Sequence, residues 1–163
     1  MLIAVIADTH LPRGSRRLPE ACVERIAAAD LLVHAGDFSS LAAVRELEAI
    51  GPALVGVRGN VDSAEVRRLL PEERVVAAAG ARIALVHDAG PARGRLGRMR
   101  SRFGQRADAV VFGHSHMPLH ETADGFQIFN PGSPTERRRA PSRTMGLAHV
   151  ESGRVSFELI DLG

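Results

Sequence analysis

The chain has 163 residues, the usual size of one folded domain, so we predict a single domain over residues 1–163. Hydrophobic residues make up 45% and charged residues 25% of the chain, which is typical of globular proteins and argues against disorder. The isoelectric point of 9.8 accompanies a formal net charge of only +2, because all 21 basic residues are arginine, tyrosine is absent, and few groups titrate at high pH. The high isoelectric point is therefore poor evidence for a nucleic-acid partner.

Two further features concern the compartment. Cys22 is the only cysteine, so no internal disulfide can form. The apolar run at residues 2–7 is too short for the hydrophobic region of a signal peptide, and no later run approaches the roughly 18 apolar residues of a membrane span. We expect a cytoplasmic protein with no membrane association.

The first two thirds of the chain alternate short apolar runs with helical patterns. Strands are predicted at residues 2–7, Leu31–His34 and 53–57, and helices between them at 20–29 and 41–50. Successive βαβ units of this kind have right-handed crossovers, so these three strands should be parallel and covered by helices.

Helix starts are marked by a few residues. Pro19 suits the first position of the first helix, and Ser39 or Ser40 can cap the second. A further helix is predicted after Pro91.

Later strands are predicted at residues 75–79 and 82–87, as a hairpin or as successive strands, and at 109–112. Two further strand pairs flank Asp124-Gly125 and Ser152-Gly153, so the last third should be antiparallel. The predicted fold is α/β: two stacked mixed β-sheets flanked by helices, a four-layer αββα sandwich.

Polar clusters follow the predicted strands, where ligands collect in open α/β sheets. These clusters are Asp8-Thr9-His10, Gly36-Asp37, Gly59-Asn60, His87 and Gly113-His114-Ser115-His116. Carboxylate, imidazole and amide donors suit a divalent transition metal that polarises phosphate. Asp8 and His10 lie two residues apart, as do His114 and His116, and in extended backbone such pairs point to the same side. Each pair could then hold one ion.

With the later Asn130-Pro131-Gly132-Ser133, these motifs resemble those of the calcineurin-like metallophosphoesterases, in particular the small single-domain bacterial and archaeal phosphodiesterase branch. The resemblance covers nearly the whole chain and implies two divalent ions. One would be bound by Asp8, His10, Asp37 and His116, and the other by Asp37, Asn60, His87 and His114. It also implies that the Asp37 carboxylate bridges the ions and that a hydroxide between them attacks phosphorus. Manganese is our first expectation, and nickel, iron or zinc suit the same donors.

The resemblance implies catalytic roles for Asp37, Asn60 and His114. The Asn60 amide oxygen can bind metal while its NH2 group donates to a phosphoryl oxygen. Arg137 and Arg138 follow the Asn-Pro-Gly-Ser turn, which would shape the floor of the site, and are candidates for binding a substrate phosphate. The arginines between residues 93 and 106 could attract a polyanion, but a solvated helix face is the favoured interpretation.

Two positions depart from the family pattern. Many relatives have a histidine that protonates the leaving oxygen where this chain has Val61, so we expect activity to favour diesters, unless Asp62 or another histidine substitutes. Asp88 follows His87 where the family usually has glycine. Its carboxylate could orient that histidine or could be exposed, and the sequence leaves both open.

The leading hypothesis is a metal-dependent phosphodiesterase acting on a small phosphodiester or nucleotide. A protein-binding scaffold of the same fold is the main alternative, since a eukaryotic protein-sorting subunit resembles this branch, but that role goes with ligand loss and every ligand position here has a competent donor. A nuclease is a third alternative, against which the low net charge weighs. A homo-oligomer remains open.

Overall fold

The computed structural model describes residues 1–12 and 16–163, which form ten strands and four helices. In chain order they are β1 (Leu2–Ile6), α1 (Glu20–Ala27), β2 (Leu31–His34), α2 (Leu41–Glu48), β3 (Ala53–Gly56), α3 (Ala64–Leu69), β4 (Glu73–Ala78), β5 (Ala81–Val86), α4 (Arg95–Phe103), β6 (Ala109–Val111), β7 (Leu119–Ala123), β8 (Phe126–Asn130), β9 (Thr144–Glu151) and β10 (Arg154–Asp161).

The strands form two mixed five-stranded sheets. The first has the order β10-β9-β1-β2-β3, in which β1, β2 and β3 are parallel, as the βαβ pattern predicts. The second has the order β4-β5-β6-β8-β7, in which β4 and β5 form an antiparallel hairpin. The prediction of a wholly antiparallel last third is wrong in one respect, because β8 runs parallel to β6. The chain between β6 and β8 includes β7, and this connection is long enough for β8 to run in the same direction as β6.

A core of apolar side chains lies between the two sheets. Ile3 and Val5 of the first sheet are buried there with Ile83, Leu85 and Phe129 of the second. Each such side chain contributes about 1.5–3 kcal/mol when fully buried. Successive residues of a strand face opposite sides of the sheet, so the remaining residues of these strands point toward the helices.

Helices cover both outer faces. Cys22 of α1, Val44 of α2 and Val66 of α3 are buried against the first sheet. Met99 and Phe103 of α4 are buried against the second. The predicted order of layers, helix, sheet, sheet, helix, is therefore confirmed. No helix in residues 1–12 and 16–163 combines the length and the apolar character needed to cross a bilayer.

Helix starts agree in part with the sequence patterns. Ser40 caps α2, since its hydroxyl accepts a 3.2 Å hydrogen bond from the Ala43 amide. Pro19 precedes the first helical residue of α1 instead of occupying it. Helix α3 was not predicted because it is only six residues long. Ser63 caps it by accepting a hydrogen bond from the Val66 amide.

Candidate metal centre

The predicted ligands all lie beyond the carboxyl ends of strands. Asp8 follows β1, Asp37 follows β2, Asn60 follows β3 and His87 follows β5, with His114 beyond β6. Main-chain hydrogen bonds tie these loops together. The Asp8 amide donates to the Gly36 carbonyl at 3.0 Å, and the Gly113 amide donates to the His87 carbonyl at 2.9 Å. Parallel strands therefore bring side chains from distant parts of the sequence into one cleft.

One group of donors contains Asp8, His10 and His116, which are buried. The Nε2 atoms of His10 and His116 lie 3.1 Å apart. Nε2 of His116 lies 3.6 Å from Oδ1 of Asp8, and Nε2 of His10 lies 3.8 Å from Oδ2 of Asp37. These atoms are close enough together to hold one metal ion.

A second group meets the first at Asp37. Nε2 of His87 lies 3.3 Å from Oδ2 of Asp37 and 3.0 Å from Oδ1 of Asn60. The same Asn60 oxygen lies 2.9 Å from Nδ1 of His114. Oδ2 of Asp37 therefore faces a histidine of each group, and Asp8 also lies within 4.8 Å of donor atoms in both groups.

Main-chain carbonyls fix the orientation of two of these rings. Nδ1 of His87 lies 2.8 Å from the Ala35 carbonyl oxygen, and Nδ1 of His116 lies 3.0 Å from that of Glu136. Because a carbonyl oxygen only accepts, each Nδ1 carries a hydrogen, and in the neutral ring Nε2 presents a lone pair to the site.

Several acceptor atoms therefore face one another in the site without a hydrogen atom between them. In the neutral rings, Nε2 of His87 faces oxygens of Asp37 and Asn60 that are themselves acceptors. Oδ2 of Asp8 and Nδ1 of His10 are buried and have no hydrogen-bond partner among the described residues. An unsatisfied buried acceptor is costly, and a cation held by Asp8 would satisfy its Oδ2 atom, whereas a cation held by Nε2 of His10 would leave Nδ1 of that ring unchanged. The donor set of carboxylates, imidazoles and an amide fits a divalent transition metal.

Burial and neighbouring charges set the protonation of these groups. Burial lowers the pKa of His116 to about 4 and also lowers the pKa of His10. Burial alone would raise the pKa of Asp37, but its hydrogen bond to His87 and the charge of that ring lower it to about 2. At neutral pH, His10 and His116 are therefore uncharged and Asp37 is ionised, the forms in which they bind metals.

The pKa values of Asp8 and His87 are both raised. Burial raises the pKa of Asp8 to about 7, with His87 opposing the rise and Asp37 adding to it. Burial would lower the pKa of His87, yet its hydrogen bond to Asp37 and the charge of Asp8 raise it. The carboxylates therefore attract positive charge to this position, either as a proton or as a metal ion.

The backbone of five predicted ligands is in the left-handed region. The φ angles are 55° for Asp8, 47° for His10, 63° for Asp37, 69° for His114 and 57° for His116. The expectation of extended backbone at the paired residues is therefore wrong. His114 faces the Asn60 group while His116 faces His10, so that pair is also divided between the two groups. Such conformations are costly for residues with a Cβ atom, and the surrounding packing must hold them.

Two glycines provide space for the carboxylates. A Cβ atom on Gly59 would lie less than 3 Å from the amide and carboxylate of Asp37. A Cβ atom on Gly113 would lie 2.8 Å from Oδ2 of Asp8. Any larger residue at either position would therefore displace a candidate ligand.

The Asn-Pro-Gly-Ser turn supports these loops, as predicted. Asn130 donates from Nδ2 to the Gly113 carbonyl at 2.9 Å, and Ser133 donates from Oγ to the Asp8 carbonyl at 2.8 Å. Thr135, which was not predicted, also supports the site, because its hydroxyl donates to the Thr9 carbonyl at 2.8 Å. A threonine two residues after the turn was the only signal of this role.

Asp62 has a structural role that rules it out as a substitute proton donor. Its two carboxylate oxygens accept hydrogen bonds from the amides of Asp37 at 3.2 Å, Gly59 at 2.6 Å and Ser39 at 2.7 Å. Because Asp62 is buried and acts only as an acceptor in these contacts, it holds the loops after β2 and β3 together.

The flanking charged residues are at the surface. Arg137 donates to the Ala140 carbonyl at 3.1 Å, and Nε of Arg138 lies 3.7 Å from the Glu136 carboxylate. Asp88 is exposed, and its carboxylate accepts a 2.7 Å hydrogen bond from the Gly90 amide instead of orienting His87. The exposed alternative for Asp88 is therefore correct.

Several arginines between residues 93 and 106 also have local partners. Arg100 pairs with Asp124 at 2.6 Å, while Arg102 and Arg106 both pair with Glu73 at 2.7 Å. These contacts agree with the predicted solvated helix face. Arg102 also reaches a cavity of about 330 Å³ that opens beside Asn60 and His87. Its lining residues are Arg58, Gly59, Asn60, Arg67, Glu72, Val86, His87, Asp88 and Arg102.

Comparison with known proteins agrees with this arrangement. Residues 1–153 match the sequence model of the calcineurin-like phosphoesterase superfamily domain. A probable metallophosphoesterase of Methanothermobacter thermautotrophicus is 32% identical over 165 residues, which cover 100% of this chain and 94% of that protein. Two solved structures share the fold. An archaeal phosphodiesterase has a TM-score of 0.73 and 20% identity over 98% of this chain and 100% of that one. Vps29 of Entamoeba histolytica in complex with Zn²⁺ has a TM-score of 0.77 and 21% identity over 100% of both chains. With its donors gathered at the strand ends of a two-sheet sandwich, the chain belongs to the calcineurin-like phosphoesterase superfamily.

Proposed function

We propose that the protein is a metal-dependent phosphodiesterase that hydrolyses a small phosphodiester or nucleotide with two divalent ions. The observation that carries this proposal is the position of Asp37. Its Oδ2 atom lies 3.8 Å from Nε2 of His10 and 3.3 Å from Nε2 of His87, as expected for a carboxylate shared by two metal sites.

The proposed ligands divide into two overlapping sets. The first set is Asp8, His10, Asp37 and His116, and the second set is Asp37, Asn60, His87 and His114. When bound, the two ions would polarise the phosphate and lower the pKa of a water held between them. Manganese is our first choice, and iron, nickel or zinc suit the same donors.

Asn60 and His114 are proposed to contact the substrate as well. Both are exposed at the mouth of the site. Asn60 uses its Oδ1 atom toward His87 and His114, so its NH2 group is available to donate to a phosphoryl oxygen. Arg138 remains a candidate phosphate contact. Its positive charge helps to lower the pKa of His10 and of His116, so it acts on the same site. Arg137 stays a weaker one, since its guanidinium already donates to Ala140.

The leaving oxygen has no evident proton donor next to Asn60. Val61 is 49% exposed and its side chain has no proton to give. Asp62 is occupied by three backbone amides. Substrates whose leaving group is stable as an anion should therefore react fastest, and we propose a preference for diesters over monoesters.

The alternatives fit less well. A protein-binding scaffold needs no metal-binding side chains gathered in one place. Here every predicted ligand has a metal-binding atom that lies within 4 Å of such an atom on another predicted ligand. A nuclease would need an extended basic surface, and the formal net charge is only +2.

We further propose a cytoplasmic location, since the free Cys22 thiol suits a reducing compartment. The oligomeric state stays open.

The proposal is tested by stripping the protein of metal and reloading it with manganese, nickel or zinc. Bis(p-nitrophenyl) phosphate and p-nitrophenyl phosphate serve as the diester and the monoester. We expect turnover only after reloading and two ions per chain by elemental analysis. No turnover with any of these metals would reject the enzyme.

Variants identify the ligands. Asp37→Ala and His87→Ala should lower kcat/KM by on the order of 100-fold or more, because each removes a group that holds the metal. His149→Ala is the matched control, since His149 is an exposed histidine on β9. Unchanged rates in the first two variants would show that the ligand set is wrong.

A further inference from the structure

The cavity beside Asn60 and His87 contains three guanidinium groups. Arg58, Arg67 and Arg102 all line it, and its volume is about 330 Å³. This volume is within the range of small-molecule sites, which begins near 300 Å³. A substituent attached to a phosphate bound at Asn60 could therefore extend into this cavity.

Arg67 has the most available guanidinium of the three. It donates from Nη2 to the Asn60 carbonyl, and no carboxylate among the described residues lies within ion-pair distance of it. Because a guanidinium has five N–H donors, most of those on Arg67 remain free to bind an anion. Arg67 thus both lines the cavity and contacts Asn60, a candidate metal ligand.

The two other arginines are paired at the surface. Arg58 pairs with Glu72 at 2.9 Å, and the Glu72 side chain is 74% exposed. Arg102 pairs with Glu73 at 2.7 Å. Exposed ion pairs of this kind contribute little to stability, so an anion in the cavity could take the place of Glu72.

The charges that face the cavity favour an anion. Its lining has three arginines against two carboxylates, those of Glu72 and Asp88. The carboxylate of Asp88 already accepts a hydrogen bond from the Gly90 amide. The planar fork of a guanidinium matches the oxygens of a phosphoryl group and binds them through paired hydrogen bonds.

We infer that the cavity binds a second phosphoryl group, carried on the ester substituent of the substrate, with Arg67 as its main contact. This inference rests on the proposed phosphodiesterase function. It narrows the substrate class to phosphodiesters in which one substituent bears a further phosphate, such as a derivative of a nucleoside bisphosphate. Arg58 and Arg102 complete the binding site.

Two matched esters test the inference. The p-nitrophenyl ester of thymidine 5′-phosphate is compared with the same ester carrying a 3′-phosphate, and release of p-nitrophenol is measured. We expect kcat/KM to be about tenfold higher for the 3′-phosphorylated ester, the gain expected from charge-assisted hydrogen bonds. A ratio near one would overturn the inference.

Four variants locate the effect. In Arg67→Gln the ratio should fall to about one, and Arg102→Gln, which removes a guanidinium that bonds to Glu73 and not to Asn60, should lower it by about threefold. Glu72→Gln should raise the ratio, because it removes the carboxylate that competes for Arg58. Arg45→Gln is the matched control, since Arg45 is exposed on α2 and does not line the cavity. If Arg45→Gln lowers the ratio as much as Arg67→Gln, general charge attraction explains the effect and the inference fails.

A binding measurement separates this inference from the proposed function. Thymidine 3′,5′-bisphosphate is titrated calorimetrically into the metal-stripped protein, so that no turnover is needed. We expect binding that is about tenfold weaker in Arg67→Gln than in the wild type. Equal binding by the two proteins would reject the cavity as a phosphate site, even if the esters are hydrolysed. Binding without any turnover on reloading would reject only the phosphodiesterase.

Discussion

The hydroxyl of Ser133 donates a 2.8 Å hydrogen bond to the main-chain carbonyl of Asp8, which lies 125 residues earlier in the chain. Asp8 has a φ angle of 55°, so this bond helps to hold a backbone conformation that a residue with a Cβ atom rarely adopts. The Ser133 oxygen also accepts from the amides of Thr135 and Glu136, at 3.3 and 3.0 Å. One buried hydroxyl therefore connects two loops of the site.

Ser133→Ala should lower the free energy of unfolding by about 1–3 kcal/mol, because it leaves buried backbone groups without partners. It should also weaken metal binding by about tenfold through the displaced Asp8. Chemical denaturation and metal titration measure the two effects. Ser101→Ala, on the exposed face of α4, is the control and should change stability by no more than about 0.5 kcal/mol. Equal effects of the two substitutions would contradict this role of Ser133.

Gly59→Ala should weaken metal binding and destabilise the fold by about 1–3 kcal/mol, since the new methyl group would collide with the Asp37 amide and carboxylate. Gly97 offers an opposite control, because a Cβ atom there meets nothing within 4 Å. As Gly97 lies within α4, Gly97→Ala should stabilise the protein by about 0.5–1 kcal/mol. Thermal unfolding with and without manganese distinguishes the two variants. Normal metal binding by Gly59→Ala would show that Asp37 does not need this space.

Val61→His should raise the activity on phenyl phosphate, whose leaving oxygen is more basic, relative to the activity on p-nitrophenyl phosphate, whose leaving group is already stable as an anion. An imidazole at this half-exposed position, next to Asn60, could protonate the leaving oxygen, and general acids typically accelerate such steps by about 100-fold or more. Val75→His is the control, because Val75 is 37% exposed on β4 and does not line the cavity beside Asn60. An unchanged ratio in Val61→His, or faster cleavage of p-nitrophenyl phosphate than of the diester by the wild type, would contradict our account of Val61.

Cys22 should not react with Ellman's reagent in the folded protein. Burial raises the pKa of its thiol to about 12, against a small opposing effect of Arg25, so almost no thiolate is present at about pH 8. One thiol per chain should react after unfolding in guanidinium chloride. Rapid reaction without denaturant would contradict the burial of Cys22.

The same shift has a consequence for stability. Because the folded state holds the thiol proton more tightly, the contribution of Cys22 is intact below the ordinary pKa near 9.0 and is lost as pH rises toward 12. The free energy of unfolding should therefore fall over that range, and less steeply in Cys22→Ala.

The fold could be predicted largely from the sequence because its signals are local. Hydrophobic periodicity and the turn residues indicated the βαβ units, the hairpins and the two sheets. The short helix α3 was missed because six residues carry too little periodicity. The parallel pairing of β6 with β8 was also missed, since it depends on how β7 is placed at the edge of the sheet.

The sequence by itself determined which donors are available and that they follow strands, because side-chain chemistry and strand ends are local properties. The tertiary structure decided which donors meet. The left-handed backbone at His114 and His116 directs these two residues to different groups, the division that the family resemblance implies, although their spacing alone suggested a shared ion. It also decided that Arg67, and not Arg137, lines the cavity beside Asn60. These outcomes depend on contacts between segments far apart in the chain, which no local pattern encodes.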